Sequence, residues 1–178
     1  DLKKSVEDVS NVVNELPLKL IKIINDGKLP HGYWNDDYLL SFHIFHASYV
    51  FNCSTDTSLL SFAEKAIAMQ CIVYKFCDEA PEEVIKRYEF LTNSPNIESQ
   101  RGHRLAAKFC SIVMNFHEAE YPDDEDIISV EKHSKFIYEF FADELGNGLS
   151  HAFVNFHVTL YVLIKFLDMS EDDFEKKI

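Results

Sequence analysis

Between residues 149 and 166, eleven apolar side chains (Leu149, Ala152, Phe153, Val154, Phe156, Val158, Leu160, Val162, Leu163, Ile164 and Phe166) point in every direction at helical pitch. A surface helix keeps a polar face, so a helix that is apolar all round has to be surrounded. Lipid is a poor fit, because Ser150, His151, Asn155, His157 and Thr159 break up the run of ~18 apolar residues that a membrane span needs. The stretch therefore predicts the buried axis of a helical bundle. Its polar side chains fall into two narrow lines, His151, Asn155 and Thr159 on one and Ser150, His157 and Tyr161 on the other.

A second stretch, residues 38–52, has the same character, with Tyr38, Leu39, Leu40, Phe42, Ile44, Phe45, Ala47, Tyr49, Val50 and Phe51 spread around it. Asp36 or Asp37 can cap its start through a side-chain oxygen on free amides. Ser41 and Ser48 lie seven apart on a thin face where another helix can pack closely, and His43 and His46 project on a neighbouring sector.

The remaining chain reads as amphipathic helices separated by breakers. Residues 2–25 carry Val6, Val9, Val13, Leu16, Leu20, Ile23 and Ile24 at helical spacing, but Pro17 removes a hydrogen bond, giving one kinked helix or two short ones that stop near Gly27. Further helices are expected over 59–77, from Pro81 to about Thr92, over 97–121 and over 127–145, with a short one after Ser170. The expected inward face of the 97–121 helix includes Leu105, Phe109, Ile112, Val113 and Phe116. Gly146 is a left-handed stop before the first stretch, and no strand-type alternation or internal repeat is found. The expectation is one all-α domain over residues 1–178, a bundle of seven or eight helices around two apolar central ones at about 38–52 and 149–166.

Composition narrows the functional classes. The net charge of −13 opposes a surface built to neutralise phosphates, so direct nucleic-acid binding and anionic-membrane binding are not expected. From Glu118 to Glu144, ten acids stand against Lys132 and Lys135, a local net of −8. Cys53, Cys71, Cys77 and Cys110 form no C-x-x-C pair, and Cys71 and Cys110 sit in apolar helical surroundings, so reduced, buried thiols in a soluble cytoplasmic protein are expected.

Three groups of residues can carry chemistry. His43 and His46, at i and i+3, can present two rings to one metal, with His151 or His157 adding a third nitrogen if the two apolar helices cross nearby. General acid–base work by His151 or His157 with Asp143 or Glu144 is the related enzymatic reading. Neither is supported by a motif: there is no H-E-x-x-H, no G-x-S-x-G, no phosphate-binding glycine loop, and no EF-hand glycine among Asp123, Asp124, Glu125 and Asp126. The third group is a surface for a basic protein partner, built from the loop acids and aromatic Trp34, Asp36 and Asp37 and from Glu118, Glu120, Asp123, Asp124, Glu125 and Asp126. By class and charge alone, such a chain is similar to acidic helical inhibitors of basic proteins, including toxin-neutralising immunity proteins and nucleic-acid mimics. The expectation is a non-catalytic binding module without a cofactor, either monomeric or a homo-oligomer that buries part of its apolar surface between copies.

Overall fold

The computed structural model describes residues 1–15, 18–113, 149–170, 172, 173 and 176, and the side chains of all of these except 15, 20, 108, 109, 111–113 and 149–156. The protein is all-α: the described residues form seven α-helices and two short 3-10 turns, without a strand among them. The helices are α1 (Leu2–Glu15), α2 (Leu18–Ile24), α3 (Asp37–Ser54), α4 (Phe62–Phe76), α5 (Pro81–Asn93), α6 (Ile97–Val113) and α7 (Leu149–Leu167), with 3-10 turns at Tyr33–Asn35 and Thr57–Leu59. None of the described helices is long and apolar enough to cross a membrane. Contacts gather the chain into two compact units, Asp1–Leu16 with Gly32–Cys110, and Pro17–His31 with Ser111–Ile178.

In the first unit, α3 is the hub. It touches α1, α4, α5 and the Tyr33–Asn35 turn, and ten of its eighteen residues are buried. Its start is fixed by Asp36, whose carboxylate accepts the amides of Tyr38 and Leu39 at 3.0 Å each. α1 lays a stripe of Val6, Val9 and Val13 into this core, and the hydroxyl of Ser10, buried on the same face, donates back to the Val6 carbonyl.

α4 begins later than its apolar periodicity suggested. The chain makes the Thr57–Leu59 turn, and then Ser61 and Glu64 close a reciprocal capping box that starts the helix at Phe62. Ala68, Ile72, Val73 and Phe76 are buried, whereas Leu59, Phe62 and Ile67 stand in solvent. Cys71 lies off the buried stripe and is exposed, as is Cys53, while Cys77 and Cys110 are buried; all four are free thiols. The expectation of a buried Cys71 is therefore corrected: the apolar residues flanking it are not all on the inward face.

α5 starts at Pro81, whose missing N–H falls where a helix has no partner for it, and Ala80 before it adopts a left-handed conformation at φ 43°. α6 then runs alongside α3 in the same direction. At their starts Asn96 donates to Asp37 at 2.8 Å, and further on His103 packs edge-on against Phe45 with ring centres 3.9 Å apart. Gly102 permits this approach, since a Cβ there would overlap the Tyr38 carbonyl and lie 3.2 Å from the Phe42 amide nitrogen. The small face at Ser41 is where α6 arrives, and Ser41, Ser99 and His103 share a cavity of about 230 Å³.

The second unit is described through α2 and α7, which pack on each other. α1 spans Leu2–Glu15 and α2 spans Leu18–Ile24; Leu16 and Pro17, where the sequence allows either a kink or a break, lie outside the described residues. Leu18 and Ile21 of α2 are fully buried, and α7 is buried across Val158, Thr159, Leu160, Val162 and Leu163, which accounts for its lack of a polar face. The expected helix over 127–145 lies outside the described residues.

Candidate functional site: a cleft beside the tryptophan turn

The Tyr33–Asn35 turn is held against α3 by a buried polar pair. The Tyr33 hydroxyl and His43 Nε2 are 2.6 Å apart, and both side chains are fully enclosed. Burial, and then the charges of Asp36 and Tyr38, hold the Tyr33 phenol well above its ordinary range, so it stays protonated. Burial, followed by the neighbouring His46, lowers His43 from 6.5 to about 3, so its imidazole is neutral. With the phenol donating to Nε2, the ring proton sits on Nδ1, which has no hydrogen-bond partner among the described residues.

Trp34 is wedged beside this pair and is only 5% exposed. Its ring lies edge-on to Tyr33 and His43, at 5.0 and 5.4 Å between centres, and 5.5 Å from Phe76 of α4. Its indole N–H points to the Asp78 carboxylate at 3.4 Å. The turn is thereby tied to α3, to α4 and to the segment leading into α5.

Between that turn and the start of α5 lies a cleft of about 490 Å³, with Gly32, Trp34 and Asn35 on one side and Glu79, Ala80, Glu83, Val84 and Arg87 on the other. Arg87 does not neutralise its neighbours. Its guanidinium is forked onto Asp37, at 3.0 and 2.8 Å. The carboxylates of Glu79 and Glu83 form no hydrogen bond or ion pair among the described residues, so the cleft presents two uncompensated negative charges. A concave site of that sign concentrates field lines and attracts cations.

The residues expected to face a basic partner thus have defined positions. Trp34 is buried apart from the part that lines the cleft; Asp36 caps α3; Asp37 holds Arg87 and Asn96. Glu118, Glu120, Asp123, Asp124, Glu125 and Asp126 lie outside the described residues, as do Asp143 and Glu144. Of the histidines, His43 and His46 are buried on α3, His157 is half-buried on α7, and the His151 side chain is outside the described set. Among the described residues, no group of three or more His, Cys, Asp or Glu side chains is placed to hold a metal ion.

Sequence reasoning missed Glu79, Glu83 and Arg87. The run Asp78-Glu79-Ala80-Pro81 was legible as a break and helix start, which accounts for its acids without a site. That these residues face Trp34, some fifty positions earlier, is a tertiary fact with no local signature. No family model, curated protein or solved structure matches the chain.

Proposed function

We propose that the chain is a non-catalytic, cytoplasmic binding module whose partner is a basic protein, and that the cleft beside Trp34 receives a lysine or arginine side chain of that partner. The reading rests on one observation: a concave site of about 490 Å³ in which Glu79 and Glu83 are uncompensated because Asp37 occupies Arg87. The net charge of −13 adds long-range attraction, which raises the rate of encounter with a cationic surface and rejects acidic ones. Covering a basic surface in this way suits an inhibitor of the immunity-protein or nucleic-acid-mimic kind. In this proposal the acids at Glu118, Glu120, Asp123, Asp124, Glu125 and Asp126 contribute through their charge.

Trp34 is the only tryptophan, and it lines the cleft, so its emission reports occupancy directly. Titration with a short oligo-arginine peptide at ~20 mM salt should shift that emission saturably, and the affinity should fall several-fold by ~200 mM salt as the screening length shortens. The Glu79→Gln, Glu83→Gln double variant should bind at least several-fold more weakly. No binding at low salt overturns the proposal, and unchanged affinity in the double variant removes the cleft from it.

A further inference from the structure

The parallel pair α3 and α6 brings two thiols together at its far end. Three features fix the register. Asn96 meets Asp37 at the two helix starts, Gly102 admits the backbone at Tyr38 and Phe42, and His103 meets Phe45. From that ring contact, Cys110 is seven residues on along α6 and Cys53 eight residues on along α3, about two turns in each case. At about 100° per residue, seven residues return Cys110 to nearly the face of His103 and eight carry Cys53 about 80° past that of Phe45, so the thiols reach the same level, Cys110 inside the interface and Cys53 at its edge.

The face of α6 that meets α3 is also lined by small side chains. Gly102, Ala106 and Cys110 recur every fourth residue, which makes one line of small side chains along α6, and helix axes approach most closely over such a line. Ala106 and Cys110 are both buried. The electrostatics agree with the register: the Cys110 thiol, pushed up to about 12 mainly by burial, is pushed further in that direction by Cys53, and the Tyr49 phenol, one turn before Cys53 on α3, is pushed up first by burial and then by Cys53 and Cys110. Cys53 is open to solvent and Cys110 is not.

We propose that Cys53 and Cys110 are an oxidisable thiol pair, with Cys53 the residue that meets the oxidant and Cys110 the residue that resolves it. With a hydroperoxide as the two-electron oxidant, the Cys53 thiolate attacks the terminal peroxide oxygen, the O–O bond breaks, and an alcohol or water leaves as Cys53 becomes a sulfenic acid. The Cys110 sulfur then attacks Cys53 Sγ and loses its proton, the S–O bond breaks, and water leaves. The two thiols are oxidised to one disulfide and one hydroperoxide is reduced. The bond would clamp the last turn of α3 to α6, closing a loop that contains α4, α5 and the Glu79–Arg87 wall of the cleft. Cys71, also exposed on α4, marks the behaviour of a surface thiol without this placement.

The experiment uses the full chain carrying Cys71→Ala, treated with hydrogen peroxide in the presence of dimedone and then mapped by peptide mass spectrometry. The expected result is an intramolecular Cys53–Cys110 peptide, a loss of about 2 Da from the intact chain, and little dimedone on Cys53. Adding Cys110→Ala should convert Cys53 to a dimedone adduct at several-fold higher yield. Equal dimedone labelling of Cys53 with and without Cys110 overturns the proposal, as does a disulfide that joins two molecules through Cys53. The wild-type peptide map decides the matter even if the alanine variant folds poorly.

Discussion

Gly102→Ala is the substitution whose outcome depends most directly on the packing of α6 against α3. On an exposed helix it would stabilise, since alanine exceeds glycine in helix propensity by about 1 kcal/mol. Here the added Cβ overlaps the Tyr38 carbonyl oxygen and sits 2.9 Å from its carbon and 3.2 Å from the Phe42 nitrogen, where ordinary carbon contacts are ~3.5–4.0 Å. The three nearest atoms are all backbone of α3, so no rotamer change relieves the overlap. The helices must separate by roughly 1 Å, which forfeits contact along Ala106 and Cys110 as well. Overpacking of this kind costs ~1–3 kcal/mol, and a backbone obstacle places it at the upper end. Subtracting the propensity gain leaves a net loss of about 2 kcal/mol, which for a chain of this length is a fall in Tm of roughly 4–8 °C.

Urea unfolding followed by far-UV circular dichroism, with Trp34 emission as a second probe, measures the loss. Arg104→Ala, two residues along the same helix at an exposed position, is the control and should change stability by no more than about 0.5 kcal/mol. A Gly102→Ala protein as stable as the parent, or more stable by the propensity gain, would refute the close approach of α6 to Tyr38 and with it the register that places Cys53 opposite Cys110.

Two further outcomes follow from the same unit. His43 has a folded pKa of about 3 against ~6.5 for an unfolded histidine, so below about pH 6.5 the unfolded chain binds a proton that the folded chain refuses. Its contribution is therefore fully present above pH 6.5 and is lost as pH falls toward 3, at about 1.4 kcal/mol per pH unit, or roughly 2 kcal/mol by pH 5; urea midpoints at pH 7.5 and 5 should show this slope in the parent and a smaller one in His43→Gln, and equal slopes would refute it. Ala80→Gly should raise stability by up to about 1 kcal/mol, because it removes ~1–2 kcal/mol of left-handed strain at the start of α5 and adds ~0.5–1 kcal/mol of backbone entropy cost; a destabilised variant in the same urea assay would show that the strain is not there.

Much of the fold was legible because it rests on local rules. The all-round apolar character of residues 38–52 and 149–166 identified α3 and α7, and Asp36 and Pro81 announced the starts of α3 and α5. The errors came where apolar periodicity was allowed to outvote capping chemistry. Leu59 and Phe62 fit a helical spacing, yet Ser61 and Glu64 three apart form a capping box, and those two apolar residues end up exposed at the helix start. Gly102 carried a usable signal, since glycine inside a helix weakens it and invites a packing explanation. The cleft carried none: its walls come from residues 32–35 and 79–87, and its charge depends on which partner Arg87 takes.

That choice of partner links the fold to the proposed function. Glu83 and Arg87 are four apart on α5, the spacing at which a glutamate and a cation ordinarily pair on a helix surface. Arg87 instead makes a two-point contact with Asp37 of α3, and this geometry prevails because the guanidinium fork matches one carboxylate that Asn96 also holds in place. Asp37 does not line the cleft, yet it sets the charge of the cleft by keeping Arg87 away from Glu83. Asp37→Asn removes that hold. Arg87 should then swing to Glu83, reducing two open carboxylates to one, and oligo-arginine binding should weaken several-fold although no cleft residue has changed. The stability change should be small, since an exposed pair of this kind is worth ~1 kcal/mol or less. Restoring Arg87→Gln in the same chain separates the two explanations: recovery of affinity means that the freed arginine was masking Glu83, whereas continued weakness means that Asp37 itself attracts the peptide and the cleft charge is not what governs binding.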